Sequence, residues 1–104
     1  MGTTGKWNVL AEIANERLDQ DIKWGEQNHP DGTYDTSTRK IARDAARQRC
    51  DDFARHGAGT WEHILMEETM EAFAEPDPIK LRTELVQVAA VAVAWIEAID
   101  RRTK

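Results

Sequence analysis

Apolar residues recur along this chain at three- and four-residue intervals, the period of a helix buried on one side, while the alternation of a half-buried strand is nearly absent. The spacing predicts four helices. The first runs from about Trp7 to Trp24, with Trp7, Leu10, Ala14 and Leu18 on one face and Asn8, Glu12, Asn15, Glu16 and Asp19 on the others. Gly25 ends it, since glycine enters the left-handed conformation of a helix C-terminus without steric cost. From Glu26 to Ser37 the chain is rich in Asn, Pro, Asp, Gly and Thr, which predicts a loop. A second helix is expected from about Thr38 to Arg55, with Ile41, Ala42, Ala45, Ala46, Cys50, Phe53 and Ala54 inward and His56-Gly57-Ala58-Gly59 as its stop. Thr60 is placed to cap a third helix that reaches about Ala74, where Glu75-Pro76 closes it. Asp77-Pro78 sets a capping carboxylate before a proline, the start of a fourth helix to about Arg101. Arg101, Arg102 and Lys104 then suit the negative end of its dipole.

The expected class is therefore all-α, a four-helix bundle in a single domain spanning residues 1–104, with the polar residues 1–6 frayed. The fourth helix complicates a simple bundle. Glu84, Gln87, Val88, Val91 and Trp95 share one side, yet Val86, Ala89, Ala90 and Val93 make the opposite side apolar too. A helix apolar all round has to be covered all round. A core completed by a homodimer or homotetramer is the expectation.

Composition narrows the partners. Fourteen Lys and Arg against 19 Asp and Glu give a net charge of −5, which repels nucleic acid unless a basic face is segregated. The run Arg39, Lys40, Arg43, Arg47 and Arg49 is interleaved with Asp44, Asp51 and Asp52 and lacks aromatics, so it reads as a solvated face. No nucleic-acid partner is expected. The one cysteine, Cys50, leaves no internal disulfide and points to a reducing compartment. No basic-then-apolar leader opens the chain, and its longest apolar stretch, Leu85 to Ile96, has 12 residues. A spanning helix needs about 20. A soluble, cytoplasmic protein with no membrane partner is the expectation.

The chemistry lies in the carboxylates. Ile64, Leu65 and Ala72 mark the inward stripe of the third helix, and Glu68 and Glu71 fall on that stripe with Glu67 at its margin. On the fourth helix Glu84 and Gln87 are the only polar residues between Thr83 and Glu97, and both point to one face. The short connection from Glu75 to Lys80 makes the two helices antiparallel neighbours. Buried acids need a cationic partner, and an oxygen-only ligand set suits Mg²⁺ or Mn²⁺ and not zinc. The competing reading is a solvated acidic face with salt bridges to arginines.

Glu67-Glu68-Thr69-Met70-Glu71, followed after 12 residues by Glu84-Leu85-Val86-Gln87, resembles the paired ExxE and ExxD signature of the MazG-like all-α nucleoside triphosphate pyrophosphohydrolases. Trp61-Glu62-His63-Ile64-Leu65-Met66 fits the approach to the first motif. Glu16-Arg17-Leu18-Asp19-Gln20 and the segment Trp24-Gly25-Glu26-Gln27-Asn28-His29-Pro30-Asp31-Gly32 are similar to a small phage- or actinobacterial-type branch. The resemblance implies a homo-oligomeric bundle that hydrolyses (deoxy)nucleoside triphosphates to monophosphate and pyrophosphate. It implies Glu68, Glu71, Glu84 and the Gln87 position as ligands of Mg²⁺, for which Mn²⁺ can substitute. Glu67, Glu68 and Glu71 become the catalytic group, with Glu67 ligating metal or orienting the attacking water. Such a metal activates water and screens a polyphosphate from an acidic protein.

One position departs from the pattern. Gln87 stands where the family has Asp, and an amide oxygen ligates a hard cation without bringing charge. The alternative reading is a nucleotide- or metal-binding relative with weak or lost turnover; a third is a helical interaction module whose acids are surface charge. For the substrate, Trp24, Asn28 and His29 offer a ring and polar edges that suit a base, or else a loop that Trp24 packs onto the bundle. Trp61 lies on the side of the acids, and Lys23 and Lys80 are candidates for phosphate, as are Arg39, Lys40, Arg43 and Arg82. Trp95 reads as core. The Glu26-to-His29 spacing of di-iron bundles falls in a loop and has no second copy, so it carries no weight.

Overall fold

Helix propensity, capping and glycine placement set nearly every boundary in the computed structural model, which describes residues 2–103. Four helices follow one another: α1 (Gly2–Trp24), α2 (Ser37–Arg55), α3 (Trp61–Phe73) and α4 (Pro78–Arg102). No strand occurs among the described residues, so the chain is all-α. Gly25 closes α1 with φ +71° and donates its N–H to the Asp21 carbonyl at 2.8 Å. Thr36 caps α2, its hydroxyl accepting from the Arg39 N–H at 3.3 Å.

The expected start of α1 near Trp7 is corrected. The helix begins at Gly2, so residues 2–6 belong to it, while Met1 lies outside the described residues. Adding a turn to a formed helix costs far less than nucleating one, and no proline stands before Trp7 to stop it.

The caps of α3 and α4 are as expected and more complete. Thr60 accepts from the His63 N–H at 3.2 Å, and His63 Nδ1 accepts in return from the Thr60 N–H at 3.3 Å. This reciprocal box uses histidine where glutamate is usual. The His63 ring also stacks on Phe53 near the end of α2, with centroids 4.4 Å apart. Asp77 caps α4 by accepting from the Ile79 N–H at 3.1 Å.

The residues gather into two compact units. Asp31–Ala92 form one, holding α2, α3 and the first part of α4; Met1–Pro30 with Val93–Lys104 form the other, holding α1 and the end of α4. Within the first, α2 packs on α3. The loop before α2 is tied to the end of α3, because the Tyr34 N–H donates to the Phe73 carbonyl at 3.2 Å and the Thr33 hydroxyl to the Glu75 carbonyl at 2.7 Å. The first bond satisfies a carbonyl that the helix end leaves without a partner.

Burial is sparse. Val9, Ala72, Ala74 and Leu81 are the buried apolar residues among those described. The expected inward stripe of α2 is not buried: no residue of α2 is, and Ile41 is 68% exposed. On α4, Leu85 and Val86 are exposed in the single chain. No helix among the described residues is long and apolar enough to cross a membrane.

Candidate metal centre

The acids converge where α3 and α4 meet. Ala72 and Leu81 are buried on either side of the connecting turn. Glu68 lies one turn before Ala72 and Glu84 one turn after Leu81, so each projects from the face that its buried neighbour sets. Glu71 is three residues from Glu68, on the same face of α3. The outcome is a trio, Glu68, Glu71 and Glu84, all half-buried, with one carboxylate oxygen of each within 4.8 Å of the others.

Electrostatically the trio is under-compensated. Two like charges at that separation repel by roughly 3 kcal/mol at an effective dielectric of about 20. One cation answers three anions: Arg47 of α2 donates to Glu71 Oε1 at 2.6 Å. That pairing, hydrogen bond first and charge second, raises the Arg47 guanidinium further above its usual range. Glu68 Oε2 and Glu84 Oε2 are buried and have no hydrogen-bond partner. Burial, then the charge of Glu71, pushes both Glu68 and Glu84 above the ordinary carboxylate range; Glu84 and Glu67 add to the effect on Glu68. A buried carboxylate oxygen without a donor is costly unless a cation completes it. The acid residues therefore fit a hard divalent ion, which prefers carboxylate oxygens and leaves room for water.

The remaining predicted residues fall around or apart from this trio. Glu67 is half-buried beside it and near Cys50 of α2, whose thiol is pushed up to about 11 by burial first and by the neighbouring Glu67 carboxylate second. Gln87 is exposed, one turn beyond Glu84. Trp61 is half-buried at the start of α3 and Lys80 is exposed in the first turn of α4. Lys23, Trp24, Asn28 and His29 are exposed and belong to the other unit. There the Lys23 Nζ lies 4.9 Å over the Trp24 ring, and the Asn28 amide donates to Glu26 at 3.0 Å.

Arg47 is the residue that sequence reasoning passed over, reading it as one charge in a solvated run. It and Glu71 are 24 positions apart, and no helical spacing links them. Only the packing of α2 on α3 brings them together. Comparison with protein-family models, with curated proteins and with solved structures found no match.

Proposed function

We propose that this chain is a divalent-metal-dependent nucleoside triphosphate pyrophosphohydrolase of the MazG-like kind, its ion held by Glu68, Glu71 and Glu84. The observation that carries the reading is the pair of buried, partnerless oxygens, Glu68 Oε2 and Glu84 Oε2, inside a trio of acids 4.8 Å across. An ordinary solvated acidic face would leave those oxygens to water. The motif order along α3 and α4 supplies the substrate class, through its resemblance to the ExxE and ExxD pair.

A bound Mg²⁺ or Mn²⁺ supplies charge neutralisation for a triphosphate and acidifies a coordinated water. The chain's own part is positioning. Glu68 and Glu71 from α3 and Glu84 from α4 would hold the ion, and Glu67 at the margin would orient the attacking water by accepting its hydrogen bond. Trp61 and Lys80, on the same two helices, contact base and phosphate. Lys23, Trp24, Asn28 and His29 offer a second set of groups suited to a base and its phosphates. The subunit is part of a homodimer or homotetramer. The apolar Leu85 and Val86, exposed on α4, support it.

The test is pyrophosphate release from a panel of nucleoside triphosphates with Mg²⁺ or Mn²⁺. Turnover of at least one nucleotide is expected, lost by 100-fold or more (about 3 kcal/mol of barrier) in Glu71→Ala. No turnover of any nucleotide, with Glu71→Ala indistinguishable from wild type in metal binding, overturns the reading. Gln87 favours a second one, a binding protein with little turnover: tight nucleotide binding without hydrolysis, and activity gained in Gln87→Asp, would decide for it.

A further inference from the structure

Arg47 carries an inference of its own, which rests on the metal-site reading above. Its guanidinium is the one side-chain cation paired with the trio among the described residues. It reaches from α2 across to α3 and contacts a carboxylate oxygen of Glu71, one of the three acids that converge there. Yet it is not locked there. The Arg47 side chain is 48% exposed, and Glu71 is its only ion-pair partner within 4 Å among the described residues. Asp44, one turn away on α2, is already engaged by Arg43 at 3.1 Å. Glu67 acts on Arg47 through charge alone, with no bond between them.

We propose that Arg47 is a displaceable counter-cation: it holds Glu71 until a divalent ion takes that carboxylate, then turns to the phosphate oxygens of the metal-bound polyphosphate. Three physical facts favour the exchange. A divalent ion outcompetes a monovalent guanidinium for a carboxylate flanked by two further acids, because it neutralises all three together. Once Glu71 is taken, Arg47 faces a site with added positive charge and no free acid of its own within reach except Glu67. Its planar fork of donors is also the geometry that matches phosphate in two parallel bonds. One residue would then guard the empty site against self-repulsion and recognise the substrate in the loaded one.

The two halves predict effects of opposite sign from one substitution. In Arg47→Met, which keeps the apolar stem, Mn²⁺ alone should bind about two- to fivefold tighter, the scale of a lost exposed ion pair. The preformed Mn²⁺–pyrophosphate complex should bind about tenfold weaker, the scale of a lost charge-assisted hydrogen bond. Arg47→Lys, which keeps the charge but not the fork, should restore wild-type Mn²⁺ affinity and only part of the pyrophosphate affinity. Electron paramagnetic resonance reads free Mn²⁺ directly, calorimetry reads the complex, and circular dichroism checks that each variant is helical. Unchanged or weaker Mn²⁺ binding in Arg47→Met, or unchanged pyrophosphate binding, overturns the exchange. Absence of Mn²⁺ binding in both wild type and Arg47→Met overturns the metal-site reading itself, a result distinct from either of those.

Discussion

Glu68 and Glu84 show what burying two acids beside a third costs the fold. Each is raised above the ordinary carboxylate range by burial first and by neighbouring acids second. A carboxyl whose folded value lies above its unfolded one binds more protons in the native state within that interval. These two groups therefore stabilise the metal-free protein at low pH, and that contribution is lost as pH rises from the ordinary glutamate value through the raised one. Glu68→Gln removes the penalty. In EDTA at neutral pH it should be more stable than wild type, read as a higher Tm, with a flatter pH dependence above the ordinary glutamate value. Added Mg²⁺ or Mn²⁺ should reverse the order, raising wild-type Tm while leaving the variant unmoved. Thermal unfolding across pH, with and without metal, checks both; a variant less stable than wild type in EDTA sinks the account. The trio itself was legible in the sequence, because an acid that falls on an inward stripe stands out against the apolar residues around it. Arg47 was not, because an ion pair across 24 residues leaves no periodic trace.

Elements were legible to within a residue or two wherever a cap or a glycine marked the boundary. Thr60, Asp77 and Gly25 each do what their chemistry requires, and α3 and α4 end within one residue of expectation. The start of α1 was missed for the opposite reason: nothing in residues 2–6 marks it. The Thr60 cap lies two turns before Glu68 and orients the whole of α3. Thr60→Ala should cost about 1 kcal/mol, read as a lower Tm or urea midpoint, with metal affinity reduced far less than in Glu68→Gln. His63→Glu, which restores the usual partner of such a box, should be tolerated unless its stack on Phe53 matters more than the cap. An unchanged Thr60→Ala midpoint would show that packing of α3 on α2 alone fixes the helix.

Core positions were the least legible, and the reason is one of scale. Periodicity shows which face of a helix is apolar, but not whether this chain or another copy covers it. Ile41, Leu85 and Val86 all lie on faces that looked like core, and all are exposed. With Val9, Ala72, Ala74 and Leu81 as the buried apolar residues described, one chain alone is thin in the burial that offsets conformational entropy. Sedimentation equilibrium should give a mass at a multiple of 11.8 kDa, and Val86→Glu should shift it toward one copy. A wild-type protein that sediments as a stable monomer would remove the oligomer from the proposal.

The tie between the loop and α3 has a practical use. Between Gly25 and α2, the amide of Tyr34 is the one that donates a backbone hydrogen bond to a distant element, the Phe73 carbonyl two residues past Glu71. Its neighbours have no such bond and should exchange with solvent at nearly the rate of a free peptide. In a deuterium-exchange spectrum this single proton would stand out as a slow signal in a fast segment. Its lifetime would time each opening of the acid-bearing end of α3, so the integrity of the centre could be followed at one atom without any ligand present.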